Sequence, residues 1–138
     1  MRVLKFGGTS VANAENIKLV LDIVIHKAQE EKLVVVVSAL SKVTDLLQTA
    51  ATKAAANDES FKEIVTEIEK KHLEALKQLI PVSEQSGLLS HIKRIINHLE
   101  TLLDGCFLLG ELSPRTLDTI LSFGELLSSY IIAEALKQ

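Results

Sequence analysis

Short apolar runs and a helical apolar stripe alternate at the start of the chain. The mostly apolar segment 3–6 and the almost pure β-branched run 33–37 are each bounded by turn residues, which is typical of parallel strands buried on both faces of a sheet. Between them, apolar residues recur at helical spacing over 17–25, behind Asn13 as a candidate N-cap. The opening therefore predicts a βαβ unit, right-handed as parallel crossovers almost always are.

The rest of the chain carries only helical patterns. Apolar stripes predict a short helix, a helical hairpin and a last helix that is apolar on most sides, over 43–50, 61–79, 88–103 and 117–136. Ser41 is expected to cap the first of these helices, and Gly105 is expected to end the third. Ser113, followed by a proline, is the expected N-cap of the last helix.

Composition excludes several classes of protein. With 138 residues, 47% hydrophobic and 24% charged, the chain has the size of one domain. A single cysteine, Cys106, excludes a disulfide framework, and we expect a packed thiol there. A net charge of -3 without a basic block argues against nucleic acid as a partner. The uninterrupted apolar runs are too short to span a membrane and no signal peptide is recognisable, so we expect a cytoplasmic protein without a membrane partner.

The predicted elements do not complete a domain by themselves. Two strands cannot form a sheet that is buried on both faces, and a helix that is apolar on most sides needs neighbours on all of them. We therefore expect the 138 residues to form one part of a larger domain.

The segment 5–11, Lys-Phe-Gly-Gly-Thr-Ser-Val, is the first candidate for chemistry. Its glycines let the backbone N–H groups approach an anion, and Lys5 adds a full positive charge. The segment fits neither the Walker A loop nor the dinucleotide-binding pattern. From these residues alone, phosphate binding and a tight turn with a solvated lysine are about equally supported.

The second candidate segment, 38–47, follows the carboxyl end of the second predicted strand. Open parallel sheets bind ligands at this edge, so the hydroxyl groups of Ser38, Ser41 and Thr44 are expected near Lys5. Alternatively, Ser41 only caps the next helix and Thr44 packs, and for Ser41 we favour the cap. Lys42 adds a second cation to the segment.

The third candidate segment, 122–128, places Gly124 and Glu125 inside an apolar helix, where both are locally costly. Such a violation marks close packing or a functional site. In the first case Gly124 allows two helices to cross, and Glu125 faces water or pairs with Arg115. The residues alone leave both alternatives open.

The four histidines show no spacing that is typical of a metal site, and we expect them to be exposed or half-buried. They are His26, His72, His91 and His98.

Together the three segments resemble the motifs of aspartate kinases in the amino-acid-kinase family. Segment 5–11 is similar to the family's first motif almost letter for letter, and 122–128 is similar to its third. Segment 38–47 resembles the second motif, with Asp45 in place of the more usual Asn. The opening 1–15 and the long helical segment are most similar to the bifunctional aspartokinase/homoserine dehydrogenases.

The resemblance implies an enzyme that transfers the γ-phosphoryl group of ATP to the side-chain carboxylate of L-aspartate, the first step toward lysine, threonine and methionine. It implies Lys5 as the catalytic residue, and a phosphate-binding set formed by Lys5, Gly7, Gly8, Thr9 and Ser10. It also implies an aspartate-binding set formed by Ser38, Thr44 and Glu125, with Glu125 on the ammonium group. Mg²⁺ would bridge the nucleotide phosphates. The resemblance implies no protein metal site, and NADP only for a fused dehydrogenase.

The implied fold is an α/β/α sandwich of three layers. Residues 1–138 would be its N-terminal, amino-acid-binding part, with the helical hairpin as an insert at about 58–104. The full protein is expected to form a homo-oligomer, and the 138-residue piece alone is expected to bind ATP poorly and to show no turnover.

Two other functions remain open from the residues. One is another amino-acid kinase, against which segment 122–128 argues. The other is a non-catalytic module that docks a partner through the hairpin 61–103. Stabilisation by aspartate, and its loss on Glu125→Gln, would distinguish an aspartate site from a docking module.

Overall fold

Two strands and five α-helices make up the fold of the chain. The computed structural model describes all residues, 1–138. The elements in chain order are β1 (Arg2–Phe6), α1 (Ala14–Ala28), β2 (Leu33–Val37), α2 (Val43–Ala55), α3 (Phe61–Leu79), α4 (Gln85–Leu109) and α5 (Pro114–Leu136). A 3₁₀ turn at Val82–Glu84 joins α3 to α4. This order confirms the predicted α/β class, with a strand–helix–strand opening and a helical remainder.

The sheet contains β1 and β2 in parallel, with Arg2 opposite Leu33 and Phe6 opposite Val37. Only one of its faces is packed. Val34 is 44% exposed and Val36 is 43% exposed on the other face. The prediction of strands buried on both faces is therefore wrong for this chain, because none of its helices covers the face that carries these valines.

Two of the predicted helix starts are confirmed by their capping bonds. The side chain of Asn13 accepts a hydrogen bond from the Asn16 N–H at 2.9 Å and starts α1. The hydroxyl of Ser113 accepts one from the Thr116 N–H at 3.1 Å, with Pro114 as the first residue of α5. Each cap satisfies a backbone donor that has no partner inside the helix.

Two other predictions, the start of α2 and the end of α4, are wrong. The N-cap position of α2 is Lys42 rather than Ser41, and no side chain caps this helix. Helix α4 continues past Gly105 because the buried stripe extends to Cys106, and it ends at Gly110 with φ 65. A glycine in the left-handed conformation is a common helix end, and Gly110 meets that condition where Gly105 does not.

The core lies among the helices, with α2 at its centre. Helix α2 packs against α3, α4 and α5, and Ala50, Ala51 and Ala54 on it are fully buried. Small side chains allow the neighbouring helices to approach closely. Cys106 is buried in the same core, which confirms the predicted packed thiol.

Helix α5 is long and apolar enough, by length and composition, to cross a bilayer, a feature that the uninterrupted apolar runs did not reveal. In the fold its apolar residues have protein neighbours. Ile120, Leu127 and Ile131 are fully buried in the core. Packing of α5 as a core helix accounts for its apolar stripe.

His72 on α3 is fully buried, whereas the other three histidines are exposed or half-buried as predicted. Its Nδ1–H donates a hydrogen bond to the Ile68 carbonyl at 2.6 Å, and its Nε2 has no partner. Burial lowers the pKa of His72 to about 4, although the bond to Ile68 acts in the opposite direction. The imidazole is therefore neutral in the folded protein near neutral pH.

We expect His72 to make the protein less stable in mild acid. Between its ordinary pKa of 6.5 and its folded value of about 4, the unfolded chain binds a proton that the folded protein excludes. The contribution is intact above pH 6.5 and falls by about 3 kcal/mol as the pH falls to 4. Urea denaturation across this range should show a smaller loss of stability in His72→Leu than in the wild type.

The exposed histidine of α1 provides the control. His26→Gln should keep the wild-type pH dependence, because the His26 side chain is 73% exposed. An identical acid loss in His72→Leu and in the wild type would contradict this interpretation.

Candidate functional site

A cleft of about 480 Å³ opens beyond the carboxyl ends of β1 and β2. Four parts of the chain form it: the glycine loop after β1, the segment after β2, the first turn of α2, and α5. The lining residues are Gly8, Thr9, Ser38, Ala39, Leu40, Ser41, Lys42, Thr44, Asp45 and Glu125. Only 2 of these 10 residues are hydrophobic, so the cleft suits a small polar ligand.

The cleft brings together most of the candidate site residues. Those that line it are Gly8, Thr9, Ser38, Thr44 and Glu125. Lys5, Gly7 and Ser10 do not line it. Lys5 is exposed on β1 opposite Val36, and Ser10 lines a separate hollow between β1 and α1. The Gly7 carbonyl accepts hydrogen bonds from the N–H groups of Ser10 and Val11, which closes the glycine loop.

Many backbone N–H groups of the cleft residues form no hydrogen bond within the protein. They belong to Gly8 and Thr9 in the glycine loop, to residues 39–42, and to Thr44 and Asp45 in the first turn of α2. The start of a helix carries a partial positive charge in addition to such donors. The cleft therefore offers an anion hydrogen-bond donors at the start of α2 and in the glycine loop.

Lys42 holds the turn between β2 and α2 in a strained conformation. Its φ of 66 lies in the left-handed region, which costs a residue other than glycine about 1 to 2 kcal/mol. Its side chain gives no capping hydrogen bond, and a lysine at a helix start is also unfavourable to the helix dipole. The turn thus leaves the hydroxyl of Ser41 and the free N–H groups available to the cleft.

Helix α5 approaches the segment after β2 very closely at Gly124. A Cβ at this position would lie 2.8 Å from the Ala39 Cβ and 3.4 Å from Leu47 Cδ1. Only a residue without a side chain fits at this distance. The close-packing alternative for Gly124 is therefore confirmed.

Glu125 follows Gly124 and lines the cleft from α5. None of the eight ion pairs in the structure contains Glu125 or Arg115, so the predicted alternative of a pair between them is wrong. The carboxylate is exposed and available to a ligand.

Ser128 joins α5 to the end of β2, a role that sequence reasoning missed. Its hydroxyl is fully buried and donates a hydrogen bond to the Ser38 carbonyl at 2.7 Å. The available signal was a small polar residue one turn after Gly124 on an apolar helix. The partner lies 90 residues away, so the sequence could not show the bond.

The charges of the cleft match a ligand that carries both signs. Lys42 is the one cation in the lining, and Asp45 and Glu125 are carboxylates. A ligand with an ammonium group and a carboxylate would have partners for both, and hydroxyl groups at Ser38 and Thr44 would add neutral hydrogen bonds. No group of three or more His, Cys, Asp or Glu side chains is placed to hold a metal ion.

Comparison with known proteins confirms the resemblance drawn from the three motifs. Residues 1–138 match the amino acid kinase family over their whole length. Bifunctional aspartokinase/homoserine dehydrogenase 1 of Zea mays is 34% identical over 136 residues, which are 99% of this chain and 15% of that protein. Aspartokinase 1 of Arabidopsis thaliana is 38% identical over 134 residues, which are 95% of this chain and 22% of that protein. Both of these relatives are chloroplast proteins.

A solved structure shows the same fold. The crystal structure of E. coli aspartokinase III in complex with aspartate and ADP matches with a TM-score of 0.79 and 29% identity. The match covers 99% of this chain and 29% of that one. The chain thus spans less than a third of the length of each of these relatives.

We expect Gly124→Ala to destabilise the protein. The new methyl group would clash with Ala39, and a shift of α5 or of the segment after β2 should lower the free energy of unfolding by about 1 to 3 kcal/mol. Gly105→Ala is the matched control, because nothing lies within 4 Å of the methyl group that it adds to α4. This control should raise stability by about 0.4 to 1 kcal/mol. Urea denaturation gives both values, and equal effects would show that Gly124 is not a close contact.

Proposed function

Because the chain belongs to the amino acid kinase family, we propose that the protein is an ATP-dependent aspartate kinase and that the cleft is its aspartate site. In the reaction, a side-chain carboxylate oxygen of L-aspartate forms a bond to the γ-phosphorus of ATP. The bond between that phosphorus and the bridging oxygen breaks, and the electron pair leaves with ADP. The product is 4-phospho-L-aspartate.

The observation that carries the proposal is the convergence of Ser38, Thr44 and Glu125 on one cleft. Ser38 follows β2, Thr44 lies in α2 and Glu125 lies in α5, far along the chain from the other two. Ser38 and Thr44 belong to the second of the motifs that resemble those of aspartate kinases, and Glu125 belongs to the third. The similarity to proteins named aspartokinases supports the same substrate.

Each side chain has a role that its chemistry allows. The Glu125 carboxylate would bind the ammonium group of aspartate through a charge-assisted hydrogen bond. The hydroxyl groups of Ser38 and Thr44 would donate to its carboxylates. The substrate approaches the phosphates of ATP as an anion, so the reaction needs cations and donors that offset this repulsion.

The phosphate-binding role falls to the glycine loop and Lys5. The N–H groups of Gly8 and Thr9 have no partners in the protein and fit phosphate oxygens. Gly7 and Ser10 would shape this loop through the bond between them. Lys5 is exposed and is part of no ion pair, so its ammonium group is free to neutralise the transferring phosphoryl group as the catalytic residue.

ATP is the proposed cofactor together with Mg²⁺, which would neutralise charge on the nucleotide phosphates. The chain contains no group of three or more His, Cys, Asp or Glu side chains placed to hold a metal ion. NADP would serve only a fused homoserine dehydrogenase.

Further proposals concern the whole protein, because the chain spans 15% of the first relative. We propose that residues 1–138 form the N-terminal, amino-acid-binding part of the catalytic domain, and that this part alone has no turnover. The α3–α4 hairpin would be the insert at about 58–104. The full protein would be a cytoplasmic homo-oligomer fused to homoserine dehydrogenase, acting on the route to lysine, threonine and methionine.

The test is aspartate-dependent ADP release by the full-length protein. Glutamate and N-acetylglutamate serve as competing acceptors and should be poor substrates. Glu125→Gln should raise the KM for aspartate about 10-fold to 100-fold, because a hydrogen bond to a charged group contributes about 1.5 to 3 kcal/mol. It should leave the KM for ATP unchanged.

Glu67→Gln on α3 is the matched control, because Glu67 is exposed and lies outside the cleft. Aspartate should raise the melting temperature of the wild type and of this control but not of Glu125→Gln. ADP release with another acceptor, or none with aspartate, would contradict the proposal.

A further inference from the structure

We propose that Ser128 is a positioning residue of the aspartate site and that its hydroxyl sets the spacing between Glu125 on α5 and Ser38 after β2. The inference rests on the proposed function, because it treats these two side chains as aspartate ligands. Ser128 itself does not line the cleft and acts through the backbone of Ser38.

The hydrogen bond of Ser128 is directed away from its own helix. Its Oγ lies 2.7 Å from the Ser38 carbonyl oxygen and 3.3 Å from the Glu125 carbonyl oxygen. A hydroxyl has one proton to donate, and the shorter contact is the better hydrogen bond. The Ser38 carbonyl is therefore the principal acceptor.

The other serines of α5 behave differently. The hydroxyl of Ser122 donates to the Thr119 carbonyl at 2.6 Å, and that of Ser129 donates to the Leu126 carbonyl at 3.1 Å. Both bonds stay within the helix, as is usual for serines in helices. Ser128 is the only one of the three whose hydroxyl contacts another element.

Both backbone polar groups of Ser38, its N–H and its carbonyl, form hydrogen bonds. Its N–H donates to the Phe6 carbonyl on β1 at 3.0 Å, and its carbonyl accepts from Ser128. The first bond fixes the residue to the sheet and the second fixes it to α5. The Ser38 side chain consequently has a defined position relative to both elements.

Few bonds separate Ser38 from Glu125, so their relative position is closely constrained. The path between them runs through one hydrogen bond and a single turn of α5, since Glu125 precedes Ser128 by three residues. The contact of Gly124 with Ala39 sets how closely α5 approaches the segment after β2. The directional bond of Ser128 then sets the register of the helix along that segment, which packing alone leaves less defined.

Loss of the hydroxyl should loosen this register rather than unfold the protein. In Ser128→Ala the Ser38 carbonyl would lose a buried partner, and the segment would shift to recover a hydrogen bond from water. The aspartate ligands would then lie at the wrong spacing. We expect the glycine loop to keep its position, because the hydroxyl of Ser128 bonds only to the Ser38 and Glu125 carbonyls.

The experiment measures both Michaelis constants in the full-length protein. Ser128→Ala should raise the KM for aspartate about tenfold and leave the KM for ATP within about twofold of the wild type, since tenfold corresponds to the loss of one buried hydrogen bond. Ser128→Cys, which keeps the shape of the side chain but has a larger atom and a weaker donor, should give an intermediate KM. Ser129→Ala should match the wild type.

A role in stability alone would lower the melting temperature of Ser128→Ala without separating the two KM values, and that result would overturn the inference. An unchanged KM for aspartate in Ser128→Ala, with a raised one in Glu125→Gln, would overturn the inference and leave the proposed function intact. A wild type without aspartate-dependent ADP release would overturn both.

Discussion

The close contact of α5 with the segment after β2 is the interaction on which the rest of the site depends. The parallel pairing of β1 and β2 places their carboxyl ends at one edge, but it supplies only two of the four parts of the cleft. The first turn of α2 is the third part, and the last helix is the fourth. Gly124 allows that helix to approach Ala39, and the buried stripe of α5 holds it there through the core. A side chain at position 124 would move Glu125 away from Ser38 and Thr44 across the cleft.

The same edge carries several locally unfavourable features of the fold. Lys42 has a left-handed backbone, α2 has no side-chain cap, and Gly124 and Glu125 interrupt an apolar helix. Elsewhere the helix starts at Asn13 and Ser113 are capped in the ordinary way. Several such features at one edge are typical of a functional site, although α3 and α4 also start without a side-chain cap and His72 is buried elsewhere with an unpaired Nε2. Here they leave N–H groups and charged side chains available to a ligand.

The elements could be predicted from periodicity, and the errors have physical causes. Gly105 was expected to end α4, but the helix continues because its buried stripe continues and Gly110 is the glycine that adopts the left-handed conformation. Ser41 was expected to cap α2, but the N-cap position is Lys42, whose backbone is left-handed and whose side chain forms no capping hydrogen bond. The motifs located Ser38, Thr44 and Glu125 in advance. The role of Ser128 depends on a partner 90 residues away, and the full burial of His72 depends on tertiary packing, so neither was visible locally.

An amide NMR titration of the 15.1 kDa chain with L-aspartate would show whether α5 and the segment after β2 bind the amino acid together. We expect saturable shifts at residues 38–45 and at Glu125, with D-aspartate and L-alanine giving weaker effects and the α3–α4 hairpin unchanged. Shifts confined to the hairpin, or none at saturating aspartate, would contradict the claim that α5 and the segment after β2 form an aspartate site.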